Sequence, residues 1–574
     1  MNDRNNGIIF GILTLAITAL FLEYSAYQNM AITVLINILD FAVLFLFIFD
    51  VIFRFIQSKY KLIFVKKHIF EILFLSSFAG LFFYSKYISL LVSLDKLQGL
   101  STQIIFLVNL FIVLKIFGRL NKLSYFLNKF SKNPAQTIMA SFFILILIGT
   151  LLLMMPFSTA DHIRLGFINA LFTATSAVCV TGLIVVDTAT RFSTAGQAVI
   201  LVLIQCGGLG IMLFAYFTAF LFRRQISVEE KLTLSYMLNE KDVKNIFRPV
   251  GKIIFITLSI EAIGAACFFL IFKSYSLQGI FAACFHAISA FCNAGFALFT
   301  DSLEAYKSSL SLNMTCAMLI ILGGLGFSVI FNLIDYSKDM FRTRIKGRKT
   351  IIRKLNLNTR VVVLMSAVLI VAGMLIIYAL EHRQNLVHYN LPTQYIAAFF
   401  QSVTLRTAGF NTISFAGLQV STYMLMILFM FIGAASGSTG GGIKINTCAV
   451  LYGYVKSVIR NSKDVILFKQ SISRDLVNRA FLVVLFALSV IFTGTFILSL
   501  VENTDFIQIL FEVVSAFCTV GLSTGITSSL TMLSKLVIIL IMFMGRLGPL
   551  TIIASLSQAK EFNVEYPSGY ISIG

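Results

Sequence analysis

The sequence predicts an all-α polytopic membrane protein. Four units of span, half-helix and span surround a pseudo-fourfold axis, with four extra N-terminal helices in front. Three observations predict it. The 574 residues are 58% hydrophobic and 12% charged, with mean hydropathy +0.91, whereas a soluble domain carries about 25% charged residues. The apolar residues fall in many runs of about 20, each long enough to cross roughly 30 Å of hydrocarbon. One short phrase also recurs four times at near-constant spacing.

The runs are read as helices because a bilayer admits only helices or closed barrels, and runs this long and continuous are not barrel strands. The first, "IIFGILTLAITALFLEYSA" from Ile8 to Ala26, has no small-residue cleavage site and reads as a span rather than a removable signal. The net charge of +20 would suggest nucleic acid in a soluble chain. Here the basic residues gather in alternate loops, as the positive-inside rule requires, and no soluble module is present to hold a nucleic acid. Nine Lys/Arg lie between Asp335 and Arg360, and others surround Arg223-Arg224 and fill Lys456 to Arg479. Those loops are expected on the cytoplasmic side. The eight cysteines form no CxxC pair and no metal-ligand spacing. Cys179, Cys292 and Cys518 read as small buried packing residues, and His286 as a packed histidine.

The recurring phrase is Cys179-Val180-Thr181-Gly182-Leu183, Cys292-Asn293-Ala294-Gly295-Phe296, Arg406-Thr407-Ala408-Gly409-Phe410 and Cys518-Thr519-Val520-Gly521-Leu522. Its glycines follow one another at intervals of 113, 114 and 112 residues, the signature of an internal repeat. Each copy is preceded by a long apolar run: Ile138 to Met155, Ile253 to Phe272, Val361 to Leu380 and Phe481 to Leu500. A short amphipathic run then follows: Phe167 to Val178, Ile280 to Phe291, Tyr395 to Thr404 and Ile507 to Phe517. These are too short to span and read as re-entrant half-helices. Six residues before the glycine stand Ser176, Ser289 and Ser515, with Val403 at that count in copy three. A second long run closes each unit: Ala198 to Leu221, Met314 to Leu333, Tyr423 to Val455 and Leu536 to Leu556. Two spans per unit return the chain to one side, so all four turns face outward and the basic loops inward. The expected domains are an N-terminal extension at 1–133 and repeats at 134–226, 227–345, 346–460 and 461–574.

A half-helix ending inside the membrane leaves bare carbonyls at its C-terminus, where the dipole favours cations. Non-helical backbone survives at that depth only where protein buries it or water lines it. Four such turns around one axis form rings of carbonyls able to replace the hydration shell of a cation. The glycines supply the positive φ such a turn requires. The candidate ion-binding residues are Val180, Thr181 and Gly182; Asn293, Ala294 and Gly295; Thr407, Ala408 and Gly409; and Thr519, Val520 and Gly521. A lone glycine here would be a helix-packing residue; four in register point to a pore.

The unit layout resembles the Trk/Ktr/HKT superfamily of potassium transporters from about Pro134 to Gly574. "QCGGLG" (Gln205 to Gly210) and "LGGLG" (Leu322 to Gly326) resemble the glycine-rich starts of that family's second spans. "RTAGFN" (Arg406 to Asn411) resembles its third filter, "MGRLGP" (Met544 to Pro549) its last span, and "EYPSGYISIG" the tail of its bacterial membrane subunits. The resemblance implies potassium (K+) as the transported ion, with no organic cofactor in this chain. It also implies a homodimer in the membrane lipid of the bacterial plasma membrane, seated on a ring of cytosolic nucleotide-binding regulatory subunits. In that family glycine in all four filters accompanies potassium preference, and serine in the first accompanies sodium; this chain has Gly182 there.

The second span of unit three is interrupted by "GAASGSTGGGIK", Gly433 to Lys444, with five glycines. A continuous helix is disfavoured, because each glycine costs up to about 1 kcal/mol relative to alanine. The stretch lacks a P-loop's GxxxxGK[ST] and its preceding strand. It reads as a flexible loop at membrane depth, and the resemblance implies that it gates the path below the filter. The implied gate residues are Gly433, Ser436, Gly437, Ser438, Thr439, Gly440, Gly441, Gly442 and Lys444, with Arg546 as a positive barrier. A charge within an apolar run is functional by default, although an arginine near the surface can snorkel. Glu261, in another apolar run, either pairs with a cation or hydrogen-bonds a neighbouring helix.

Four more apolar runs centre near residues 17, 42, 80 and 108. Ile48 to Leu75 loosely resembles part of a voltage-sensor domain. The fourth run, however, carries only Lys115, Arg119 and Lys122, all at its inner end. Voltage sensing needs several charges across the field, so a packing or regulatory bundle is expected. Two rival functions remain: a sodium-permeable or Na+/H+-coupled member of the same superfamily, and a membrane enzyme or signalling anchor. The second would need a cluster of ionisable residues in one compartment or a soluble catalytic domain, and neither is found in the sequence, which reads as no enzyme.

Overall fold

The computed structural model describes residues 134–210, 247–346 and 355–556, apart from 275, 416 and 463, together with 49, 55, 56 and 61. The chain divides into two compact units, Met1–Ser131 and Lys132–Gly574. The four leading runs, the loop at Arg223-Arg224, residues 347–354 and the C-terminal tail lie outside the described residues.

Within the second unit the repeats follow the expected order. Repeat one has α1 (Pro134–Leu153), α2 (Phe167–Val178) and α3 (Thr194–Leu209). Repeat two has α4 (Phe247–Phe272), α5 (Leu277–Cys292), α6 (Leu310–Leu325) and α7 (Phe327–Lys346). Repeat three has α8 (Leu357–Glu381), α9 (Leu391–Thr404), α10 (Val420–Phe431) and α11 (Ile445–Ile459). A small hairpin, β1 (Val465–Leu467) with β2 (Gln470–Ile472), precedes repeat four. That repeat has α12 (Arg474–Val501), α13 (Phe506–Phe517), α14 (Met532–Leu547) and α15 (Pro549–Leu556). Among the described residues the hairpin, with the isolated bridges Thr159–Phe192 and Ile432–Ile443, departs from an all-α chain.

Helix length sorts the elements. Gly251–Phe272, Leu357–Glu381 and Arg474–Val501 are each long and apolar enough to cross a membrane. The half-helices α2, α5, α9 and α13 have 12, 16, 14 and 12 residues, hence about 18 to 24 Å at 1.5 Å per residue. Two of them open on side-chain caps: Ser276 accepts from Gly279 N and Asn390 from Thr393 N, each meeting an otherwise unpaired amide. The half-helices form the core. Phe172, Phe285, Phe400 and Phe511 are fully buried at equivalent places within them, surrounded by the longer helices, whose outer faces expose residues such as Phe255, Leu375 and Phe492.

The second spans depart from expectation. The run Met314 to Leu333 is broken at Gly326, where α6 and the first part of α7 meet at 104°. The run Leu536 to Leu556 is broken at Gly548. Gly210, Gly326 and Gly548 end α3, α6 and α14 with φ of 85°, 84° and 80° and ψ of 138°, 145° and 147°. One backbone conformation, reserved for glycine, therefore ends a helix at the same place in three repeats, and the glycine-rich motifs stand at the ends of these helices rather than at their starts. The basic stretch expected as a loop from Asp335 is helical as far as Lys346.

Candidate functional site

Each half-helix is terminated by its own backbone. In repeats one, two and four a residue in the left-handed region follows the last turn: Val180 (φ 55°), Asn293 (φ 59°) and Thr519 (φ 50°). The next amide then reaches back five residues, from Thr181 to Ser176 O, Ala294 to Ser289 O and Val520 to Ser515 O, each 2.8 Å. This is the closing bond of a Schellman motif. The glycine two residues later has a second positive φ, between 70° and 91°. Each turn thus needs two unusual positions, only one of which is glycine. A β-branched valine with positive φ is an outlier by itself.

Repeat three is one residue shorter. Ala408 N bonds Thr404 O, four residues back, at 3.0 Å, and Thr407 carries the left-handed φ of 69°. Counting six back from Gly409 therefore lands on Val403, but Thr404 performs the role of the serines. Its hydroxyl donates to Phe410 O at 2.6 Å, as Ser176 donates to Leu183 O and Ser289 to Phe296 O, both at 2.7 Å. Aligning the repeats from the buried phenylalanine rather than from the glycine reveals this in the sequence.

The four turns close a circuit. A Cβ built on Gly182 would lie 2.5 Å from Ala294 O; on Gly295, 2.8 Å from Ala408 O; on Gly409, 2.7 Å from Val520 O; and on Gly521, 2.1 Å from Thr181 O. Each glycine thus faces the carbonyl that precedes the next glycine, in the order one, two, three, four and back to one. The twelve residues named from the sequence lie in these four turns. The polypeptide beyond them is tied across repeats: Thr300 Oγ1 donates to Asp187 Oδ2 at 3.0 Å, and Asn411 Nδ2 donates to Glu304 Oε1 at 2.8 Å. Burial raises the Glu304 carboxyl above its ordinary range, with Asp301 adding to the effect.

The segment 433–444 lies directly beneath the turns and is ordered by backbone bonds, in place of the expected flexibility. Gly433 N donates to Ile443 O at 2.9 Å and closes its neck. Ala435 N donates to Gly324 O at 3.0 Å, Thr439 N to Gly323 O at 3.3 Å, and Phe327 N to Gly437 O at 3.2 Å. The elbow between α6 and α7 thus holds the loop. Ser436 and Gly437 are exposed at its tip, and Ser438 Oγ donates to Ala435 O at 2.6 Å. Thr439 Oγ1 donates to Phe291 O at 3.2 Å, beneath turn two. Gly440 and Gly441 approach so closely that a Cβ would lie 2.1 Å from Thr407 Oγ1 and 2.3 Å from Thr519 Oγ1, and one on Gly442 3.2 Å from Cys518. Lys444 turns its ammonium back to Gly440 O.

Arg546 completes the layer. Its guanidinium donates to Thr439 O of the loop, to Gly207 O, and to Gly208 O at 3.3 Å. It is half-buried, and it is paired with no acid among the described residues. The motifs Gly207-Gly208-Leu209-Gly210, Gly323-Gly324-Leu325-Gly326 and Gly545-Arg546-Leu547-Gly548 explain its place: Arg546 stands where the first two repeats have glycine. The first glycine of each motif packs on the end of its own half-helix, where a Cβ would lie 2.0, 1.9 and 1.8 Å from Val178 O, Phe291 O and Phe517 O. Glu261 resolves to a hydrogen bond: it accepts from Gln205 Nε2 of α3 at 3.0 and 3.2 Å. Cys179, Cys292 and Cys518 are buried free thiols at the ends of their half-helices.

Comparison with known proteins agrees with this architecture. The family model described as "TrkH: Cation transport protein" matches residues 104–566. The chain is 38% identical over 445 residues to Ktr system potassium uptake protein B of Bacillus subtilis, covering 77% of this chain and 97% of that one. It is 36% identical over 445 residues to the Ktr system potassium uptake protein B of Vibrio alginolyticus, covering 76% and 94%. The crystal structure of the potassium transporter TrkH from Vibrio parahaemolyticus superposes with a TM-score of 0.61 at 18% identity, over 86% of this chain and 98% of that one. The chain is a multi-pass membrane protein that belongs to the TrkH cation transport family.

Proposed function

We propose that this chain is the potassium-conducting membrane subunit of a bacterial uptake system. One observation carries the reading: four glycine turns close a circuit of carbonyls, Thr181, Ala294, Ala408 and Val520, each set against the glycine of the repeat before it. A dehydrated cation passing such a ring exchanges water oxygens for carbonyl oxygens, and the half-helix dipoles end there with the favourable sign. Val180 to Gly182, Asn293 to Gly295, Thr407 to Gly409 and Thr519 to Gly521 act as the selectivity filter. The relatives named for potassium uptake support potassium as the ion.

The loop from Gly433 to Lys444 is the gate. It underlies turns two, three and four, and Arg546 links it to the carbonyls of repeat one. A cation leaving the filter meets Arg546 and Lys444 before it reaches the far side, so the loop and its two positive charges must move for ions to pass. The name of the Ktr system relatives supports a multi-component assembly. In this reading the chain works as a homodimer in the plasma membrane on a cytosolic nucleotide-binding ring, docked through its basic inner surface. The five proposed domains are the N-terminal extension and the four repeats.

The test is growth at limiting potassium in a bacterium lacking its own potassium uptake, with and without the cytosolic partner. Wild type restores growth, and Gly295→Ser requires much more potassium at equal membrane abundance. Failure of abundant wild-type protein to restore growth in either background overturns the reading.

A further inference from the structure

The polar residue behind each filter turn has no part in the reading above. Nine residues before the glycine in repeats one, two and four, and eight before it in the shorter turn three, stand Thr173, His286, Gln401 and Glu512. Each directly follows one of the buried phenylalanines Phe172, Phe285, Phe400 and Phe511, which fixes their equivalence. All four are in the interior of the protein, behind the turn rather than beside the ion path.

His286 and Glu512 use this place in the same way. His286 Nε2 accepts the backbone N–H of Leu298 at 3.3 Å, and Glu512 Oε1 accepts that of Thr524 at 2.9 Å. Both donors lie three residues past the filter glycine, on the segment leaving the turn. His286 is oriented for the task. Its Nδ1 is 2.8 Å from Ala282 O, which assigns the proton to Nδ1 and leaves Nε2 as the acceptor. Its ring is stacked on Phe299 at 4.8 Å and meets Phe272 edge-on at 5.6 Å. Glu512 is fully buried and also accepts from the hydroxyls of Ser523, Thr524 and Thr527.

The other two repeats lack the brace. Thr173 donates its hydroxyl to Asn169 O within its own helix, and neither amide atom of Gln401 has a hydrogen-bond partner. In the order of the circuit, repeats two and four stand opposite one another. The device is therefore twofold: two facing turns are pinned from behind, and the two between them are not.

We propose that His286 and Glu512 are positioning residues for ion selection. Through Leu298 and Thr524 they fix the outward halves of turns two and four, and so set how closely opposite carbonyls can follow a smaller cation inward. This deepens the filter reading and rests on it. A filter free to contract binds sodium nearly as well as potassium, whereas one pinned across a diameter does not, because the fit of the cavity and the field of its carbonyls decide the choice.

The test measures potassium uptake against added sodium in the same deficient bacterium, with the full chain and its partner, alongside the membrane abundance of each variant. His286→Leu and Glu512→Leu are each expected to raise the half-saturating potassium concentration about five-fold, the size of one net hydrogen bond. They also let sodium compete, while the maximal rate per protein stays near that of wild type. His286→Gln and Glu512→Gln keep an acceptor at the same reach and restore exclusion of sodium; Gln401→Leu changes neither quantity. If the leucine variants do not reach the membrane, His286→Asn and Glu512→Asp withdraw the acceptor while keeping its polarity and are read the same way. Abundant variants with wild-type half-saturation and sodium exclusion overturn the proposal and leave the filter reading standing. A wild type that moves no potassium overturns the filter reading instead.

Discussion

Gly521 of the last repeat faces Thr181 of the first so closely that a Cβ on the glycine would lie 2.1 Å from the threonine's carbonyl oxygen. This contact closes the circuit of turns, and it is the tightest of the four. The others leave 2.5 Å at Gly182, 2.7 Å at Gly409 and 2.8 Å at Gly295. All four glycines also have positive φ, so any side chain is strained there. Alanine at each position is therefore expected to harm potassium uptake in that order, Gly521 most and Gly295 least. Half-saturating potassium concentrations of the four variants, at matched abundance, check the ranking.

The loop allows an internal comparison. Gly440 and Gly441 touch the threonine hydroxyls of turns three and four, whereas a Cβ on Gly437 meets nothing within 4 Å. If the loop gates as proposed, Gly440→Ala and Gly441→Ala should push it off the turns and raise the maximal rate of uptake severalfold. Gly437→Ala adds only the local cost of its positive φ of 72°, about 1 kcal/mol, and should leave the rate near wild type. Initial rates at saturating potassium distinguish these outcomes.

Arg546 joins the loop to repeat one through a planar fork, donating to Thr439 O on one side and Gly207 O on the other. Lysine cannot span both, because its ammonium is a point charge without that geometry. Hydrogen bonds to a charged group contribute roughly 1.5–3 kcal/mol each. In the proposed gate, Arg546→Gln is expected to shift the equilibrium towards open by about tenfold or more, and Arg546→Lys to restore the closed state only in part. Potassium efflux from loaded cells with the partner absent reads the leak directly.

The repeat was legible because its parts have local signatures: apolar length for the spans, short amphipathic runs for the half-helices, and a period carried by the four glycines. Other features were missed by counting from the glycine and by hydropathy. Val403 occupies the serine's place by count but Thr404 by contact, since turn three is a residue shorter. The breaks at Gly326 and Gly548 were hidden inside continuous apolar runs, because hydropathy is blind to a change of backbone direction. The shared Gly-x-Leu-Gly motif was the available signal. Similarly, nothing local to Arg546 distinguishes an arginine held by three buried carbonyls from one reaching the membrane surface.

The same motif yields a stability prediction. The first glycine of each copy, Gly207, Gly323 and Gly545, rests on the terminal carbonyl of its half-helix with no room for a methyl group. Alanine there must push backbone apart, an overpacking cost of typically 1–3 kcal/mol or more. The thermal midpoint of the detergent-purified protein should fall clearly for each. Gly251, exposed within α4, meets nothing within 4 Å, so alanine there should leave the midpoint unchanged or slightly raised.

Gln401 makes the opposite case to Glu512. Both are fully buried in equivalent half-helices, yet Glu512 accepts from three side chains and a backbone amide, while both amide atoms of Gln401 lack a partner. Replacing a polar group that bonds nothing by an apolar one of similar shape removes a desolvation cost and little else, whereas removing the acceptor from satisfied donors strands them at about 1–3 kcal/mol each. Gln401→Met should therefore be neutral or slightly stabilising, and Glu512→Met destabilising: the Thr524 amide loses its acceptor, while the Ser523 and Thr527 hydroxyls, 2.8 Å apart, can bond only each other. Thermal unfolding of the two variants beside wild type decides it. A Gln401→Met midpoint as low as that of Glu512→Met would mean that the glutamine is bonded after all, and that repeat three has its own brace behind the turn.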